Sequence, residues 1–113
     1  MKAVKYAILA MLAIAVPGLA SEQPKLDELQ KKAMAKDYQA QRNLAYGYET
    51  GDQKVPIDRM KGCMWRKVIL LSGSQRVDQT DVLNHRVSCG KLDADEQAVV
   101  TRQAEVLAGK LYR

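Results

Sequence analysis

The sequence predicts an all-α fold, and three observations support this class. Phenylalanine is absent from the 113 residues, β-branched residues are sparse, and apolar residues recur three and four positions apart. No segment shows the strict alternation of apolar and polar residues that marks a half-buried strand. We therefore expect a single helical domain over residues 21–113.

The first twenty residues have the composition of a secretory signal peptide. Two lysines precede an apolar run over 6–16, which is too short to span a bilayer, and Pro17 and small residues follow it. This order predicts cleavage after Ala20 and a mature chain that begins at Ser21. An uncleaved membrane anchor is the alternative. No cysteine follows the apolar run closely, so we expect a periplasmic or secreted protein without a lipid or membrane anchor.

The charge pattern argues against nucleic acid as a partner. Removal of residues 1–20 lowers the formal net charge from +5 to +3, because that segment contains two lysines and no acid. Cationic and anionic residues alternate along the rest of the chain, and no long run of like charges occurs. The mature protein is therefore predicted to have a mixed, solvated surface.

The only two cysteines, Cys63 and Cys89, are predicted to form a disulfide. An exported chain folds in an oxidising compartment, and no third cysteine competes for either thiol. In the chain-entropy model a loop of this length contributes about 3.5 kcal/mol. That is a large share of a net stability of ~5 kcal/mol. The alternative is Cys63 as a nucleophile, but the chain offers a single histidine, His85, to activate it.

Periodicity and capping residues predict five helices, over about 24–36, 39–49, 58–71, 77–86 and 93–112. Gly51 should end the second helix, Asp58 should cap the third, and a capping box from Asp93 should open the last. The last helix is expected to close the C-terminal end of the domain. The buried face of the third helix is expected to consist of Met60, Cys63, Met64, Val68 and Leu71.

Residues 40–73 contain a spaced motif. It reads A-Q-R-N-L-A over 40–45 and continues with Tyr48, Gly51, Val55, Asp58, Lys61, Gly62, Trp65 and Gly73. This spacing resembles the Sel-one-like repeat, a helix-loop-helix relative of the tetratricopeptide repeat. The chain departs from the family pattern at three places: a glycine becomes Ala45, an aromatic residue becomes Arg66, and the loop lacks its glycine before Val55 and is one residue longer.

The resemblance implies an α-α superhelix-type helical repeat, with one complete unit over 40–73 and helical caps on both sides. Small residues on the first repeat helix would let the second helix cross it closely. The repeat core is expected to contain Leu44, Tyr48, Trp65 and Val68, with large apolar surfaces from the two aromatic residues. For Trp65 the alternative is a side chain that contacts a ligand in the groove.

The resemblance also implies protein–protein interaction, since such repeats usually act as adaptors through the groove between stacked helices. The expected partner is a protein of the cell envelope, and the chain is expected to be a monomer. Arg42 and Tyr46, four residues apart on the first repeat helix, are expected to share a solvent-facing strip and are candidate partner-binding residues. An ordinary solvated face is the alternative for this strip.

Two other functions stay open at this point. One is an inhibitor or immunity protein that binds a periplasmic toxin or hydrolase, and the other is an enzyme or enzyme subunit. The sequence contains no glycine-rich phosphate loop, histidine pair or cysteine cluster with metal-ligand spacing, so we expect no catalysis, cofactor or metal. Asp93, Asp95 and Glu96 could bind a cation, but helix capping accounts for them. His85 is expected to be a surface residue near a helix end.

Export is expected to remove residues 1–20. The intact mass of the protein purified from the periplasm should equal that of residues 21–113, because signal peptidase selects a small residue such as Ala20 before the scissile bond. A mass that still includes Met1 contradicts this prediction.

Overall fold

A computed structural model describes residues 23–113. It contains five α-helices: α1 (Gln23–Met34), α2 (Tyr38–Thr50), α3 (Arg59–Leu71), α4 (Gln79–Gly90) and α5 (Ala94–Tyr112), with a 3₁₀ turn, Asp52–Lys54, between α2 and α3. Residues 23–113 include no strand, so the all-α prediction is confirmed. The predicted signal peptide lies outside the described residues.

Aspartate caps set where the helices begin. Asp37, Asp58, Asp78 and Asp93 precede α2, α3, α4 and α5, and each carboxylate accepts a hydrogen bond from the backbone N–H three residues later. At α4 and α5 the acid three residues on accepts from the cap's own N–H, which completes a capping box. Gly51 ends α2 with a φ of 84°, a conformation that glycine adopts without strain. The caps predicted at Gly51, Asp58 and Asp93 are therefore confirmed.

Helix α3 is the centre of the domain. It packs against α2, α4 and α5, whereas α1 packs against α2. The larger core cluster includes Leu44, Tyr48, Trp65 and Val68, together with apolar residues of α1 and α5. Trp65 is only 5% exposed, so it is a core side chain. The hydroxyl of Tyr48 accepts a hydrogen bond of 3.1 Å from Gln30 of α1, which satisfies the polar end of a buried ring.

The buried face predicted for α3 is wrong at Leu71, which is 50% exposed. Met60 and Met64 are half-buried, while Trp65 and Ile69 are buried. The physical reason is that three helices surround α3, so its buried arc is wider than a single stripe. Leu71 is the last residue of α3 and lines a cleft that opens between α3, α4 and α5.

Cys63 of α3 and Cys89 of α4 form the predicted disulfide, and their Cα atoms lie 4.9 Å apart. The bond belongs to a second, smaller core cluster with Leu92 and Val100. It joins the C-terminal end of α4 to the central helix. The disulfide prediction is therefore confirmed.

Helix α5 lies along α3 and does not pair with α4 as α3 pairs with α2. Close backbone approaches are extensive between α3 and α5 and very few between α4 and α5. At its C-terminal end α5 reaches the first two helices, where Gln41 donates hydrogen bonds to the Tyr112 hydroxyl (2.8 Å) and to the Ala33 carbonyl (3.0 Å). The α2–α3 pairing is thus not repeated by α4 and α5.

Replacing Gly47 by alanine should destabilise the domain, with Gly109→Ala as the matched control. A Cβ at residue 47 would lie 2.6 Å from Cγ2 of Val55, a buried loop residue. Overpacking of this kind costs roughly 1–3 kcal/mol, against a gain of up to ~1 kcal/mol in helix propensity. A Cβ at residue 109 meets no atom within 4 Å, so only the gain in helix propensity remains and the variant should be more stable.

In thermal unfolding, Gly47→Ala should lower the midpoint and Gly109→Ala should raise it. Equal shifts in the two variants would show that the loop does not pack closely on α2.

Candidate functional site

A groove runs between α2 and α4, and we call it the α2–α4 groove. Its wide section has a volume of 370 Å³ and its narrow section 170 Å³, and Glu49 and Asn84 line both. The wide section is further lined by Gln39, Arg42, Asn43, Tyr46 and Arg66. The narrow section is further lined by Thr50, Arg59, Val87, Ser88 and Lys91.

A partly buried ion pair, Arg66 with Glu49, lines the wide section. Nε and Nη2 of Arg66 each donate a hydrogen bond of 2.9 Å to the carboxylate of Glu49. Such a bidentate pair fixes both side chains, because two parallel bonds define one geometry. The pair joins α3 to α2 by an ionic contact.

The carboxylate of Asp81 joins α4 to α2 behind the wide section, where it contacts Tyr38 and Arg42. Its Oδ2 accepts hydrogen bonds from the Tyr38 hydroxyl and from the backbone N–H of Asp78. Its Oδ1 lies 3.3 Å from Nε of Arg42, close enough for an ion pair but not aligned for a hydrogen bond. Asp81 is 1% exposed, so its negative charge is compensated inside the protein.

Two guanidinium groups lie close to the ring of Tyr38. Cζ of Arg76 is 4.7 Å and Cζ of Arg42 is 5.5 Å from the ring centroid, both within the range of a cation–π interaction. Burial raises the pKa of the Tyr38 hydroxyl, and its hydrogen bond to the negatively charged Asp81 raises that pKa further. The hydroxyl therefore stays protonated at neutral pH and donates to Asp81.

The two candidate partner-binding residues both line the wide section but differ in their surroundings. Tyr46 is 51% exposed, as expected for a residue on a solvent-facing strip. Arg42 is half-buried and paired with Asp81, so its predicted place on a free strip is wrong. The cause is α4, which packs beside the N-terminal half of α2 but lies far along the chain.

A second cleft opens between α3, α4 and α5, and Lys67, Leu71, His85 and Glu105 are among its lining residues. Nζ of Lys67 lies 3.1 Å from Nε2 of His85. Burial lowers the pKa of His85, and the positive charge of Lys67 lowers it further. The neutral imidazole can therefore accept a hydrogen bond from the lysine.

The expectation for His85 needs correction, because α4 continues to Gly90. His85 thus lies inside α4 and is half-buried, whereas a surface position near a helix end was expected.

Asp93 and Glu96 form the capping box of α5. Across residues 23–113, no group of three or more His, Cys, Asp or Glu side chains is placed to hold a metal ion.

Two features of the site were missed at the level of sequence, the buried Asp81 cluster and the Arg66–Glu49 pair. The spacing of Asp78 and Asp81 signals a capping box, but nothing local indicates that Asp81 also meets Tyr38. For Arg66, likewise, nothing local indicates that it pairs with Glu49, which lies 17 residues earlier in the chain.

Comparisons with known proteins give no match: no protein-family model, curated protein or solved structure matches this chain.

Within the described part of the chain, no helix has both the length and the apolar character needed to cross a membrane.

The ring protons of His85, the only histidine, should titrate with a pKa below 6.5 in an NMR experiment. A depressed folded-state pKa means that the unfolded chain binds this proton more readily. The stability that the neutral form of His85 contributes is fully present above pH ~6.5 and is lost as the pH falls through the folded-state pKa.

Lys67→Met should raise this pKa only part of the way to 6.5, because burial, the larger cause, remains. Lys31→Met, on α1, is the control and should leave the pKa unchanged. A Lys67→Met protein with an unaltered His85 pKa would contradict the contact between the two side chains.

Proposed function

We propose that this chain is an exported protein–protein interaction module that binds an envelope protein in the α2–α4 groove. The observation that carries the proposal is an exposed aromatic residue, Tyr46, on the rim of a groove whose other side exposes Val87. Tyrosine is among the residues that most often dominate binding energy at protein interfaces. The proposed role is binding without catalysis, and the proposed state of the free protein is a monomer.

Three features support a Sel-one-like unit over residues 40–73. The helix pair α2–α3 crosses closely, with the small residues Ala40, Ala45 and Gly47 buried on α2. The loop places Val55 against Gly47, and Asp58 caps α3. The unit is flanked by α1 on one side and by α4 and α5 on the other. A groove between α2 and α4 is where an adaptor of this kind would be expected to bind.

Export to the periplasm or the medium is part of the proposal. It is supported by the signal-peptide pattern of residues 1–20. The disulfide between Cys63 and Cys89 is consistent with an oxidising compartment.

An inhibitor or immunity protein is the second candidate function, and the exposed Tyr46 favours it to the same degree. An aromatic side chain on a rim can be inserted into the active-site cleft of a toxin or hydrolase. The two functions differ in one result: an inhibitor abolishes the activity of the partner that it captures, whereas an adaptor leaves that activity intact.

Tyr46→Ala should weaken partner binding by at least ~2 kcal/mol, about thirtyfold, because an exposed tyrosine at an interface is a typical hot spot. The protein is expressed from the full chain, purified after export and used to capture its partner from periplasmic extract, and the affinity of each variant is then measured. Val106→Ala is the matched control, since Val106 on α5 is 54% exposed and lines neither groove section.

Neither variant should change the helical circular dichroism or the unfolding midpoint. Arg42→Ala is unsuitable for this test, because it would leave Asp81 buried without its cation and lower stability. Equal affinity of the Tyr46→Ala and Val106→Ala proteins would place the interface elsewhere.

A further inference from the structure

The α2–α4 groove has more cationic than anionic side chains. Arg42, Arg59, Arg66 and Lys91 line it, against one acid, Glu49. Arg66 is neutralised by Glu49, and Arg42 is neutralised by Asp81 behind the groove. The two remaining cations are therefore the ones available to a ligand.

Arg59 and Lys91 both line the narrow section and come from different parts of the chain. Arg59 is the first residue of α3, and Lys91 directly follows α4. Both are exposed, and neither has an ion-pair partner within residues 23–113. Two unpaired cations that line the same cleft favour an anionic ligand, because both charges attract its carboxylates.

Asn84 lies where the two sections of the groove meet. Its side-chain amide has no hydrogen-bond partner among the described residues, and the residue is half-buried. An amide both donates and accepts, so it matches the N–H and C=O of a polypeptide backbone. A phosphate or a polyanionic chain would use only the donor.

Apolar surface lies beside these polar groups. Val87 of the narrow section is exposed, Leu83 is exposed one turn earlier on α4, and Tyr46 is exposed on the opposite wall. A ligand that uses the whole groove therefore combines negative charge at one end with apolar side chains along its length.

We propose that the α2–α4 groove binds an acidic polypeptide segment of the partner protein. Arg59 and Lys91 would bind its carboxylates, Asn84 would pair with its backbone, and Tyr46 and Val87 would contact its apolar side chains. This inference depends on the proposed function, for which it specifies the chemistry of the partner.

The test selects peptides from a random displayed library against the oxidised, exported protein at low salt. The strongest consensus peptide is synthesised, and its affinity is measured for the wild type and for two double variants. Arg59→Glu with Lys91→Glu reverses the groove charges. Lys31→Glu with Lys110→Glu changes the net charge equally, but on α1 and α5.

The expected consensus is rich in Asp and Glu, with interspersed aromatic or aliphatic residues. The groove reversal should weaken binding by about tenfold or more, since two ion pairs become two repulsions, and it should remove most of the salt dependence. The distal reversal should have a much smaller effect.

A neutral or basic consensus, or equal losses in the two double variants, overturns the acidic-segment proposal. If such peptides still lose affinity in the Tyr46→Ala protein, the groove remains the interface and only the ligand chemistry is wrong. If the selected peptides are insensitive to Tyr46→Ala as well, or if no peptide is selected, the proposed function fails with the inference. Binding of a DNA oligonucleotide that depends on Arg59 and Lys91, with no acidic peptide selected, also overturns it.

Discussion

The position of α4 depends on one covalent bond and one buried carboxylate, because this helix has almost no apolar face to bury. Its buried residues are Asp81, Ser88 and Cys89. The first two have polar side chains, and the third belongs to the disulfide. Burial of apolar surface, at ~25 cal/mol per Å², therefore contributes little to the position of a helix with this composition. The bond to Cys63 fixes its C-terminal end, and the contacts of Asp81 with α2 fix its N-terminal end.

This arrangement connects stability with the proposed function. Since α4 is attached by polar and covalent contacts, its apolar side chains Leu83 and Val87 stay at the surface. In an ordinary amphipathic helix such residues would face the core. The same contacts set the distance between α2 and α4, and so the width of the groove in which Tyr46 is exposed. A partner would therefore meet a preformed cleft and lose little free energy in ordering it.

Features that depend on near neighbours in sequence were predictable here. The N-caps at Asp58 and Asp93 and the C-cap at Gly51 follow from residue type and spacing, and the structure contains them. The disulfide joins distant residues but was predictable because the chain has only two cysteines. Trp65 is buried as the motif over 40–73 predicted, although the periodic stripe predicted for α3 did not include it.

Features that depend on packing between distant segments were not predictable. Leu71 fits the periodicity of α3 but lines the open cleft between α4 and α5, which leaves it half exposed. Arg42 was predicted to be a surface residue because its partner, Asp81, lies on a different helix, α4. That helix has low amphipathicity, so its position in the fold cannot be predicted from its own sequence. The cleft around His85 exists because α5 packs along α3 and diverges from α4. This arrangement depends on tertiary packing and has no local signal in the sequence.

Hydrogen exchange of the oxidised and reduced protein, resolved by helix, tests directly whether the disulfide holds α4. Reduction restores conformational entropy to the unfolded chain, which lowers the stability of the domain and accelerates exchange throughout it. We predict that the amides of α4, residues 79–90, accelerate by a larger factor than those of α2 and α3, because α4 then opens locally while the α2–α3 pair stays packed. The same acceleration factor in all three helices would contradict the account.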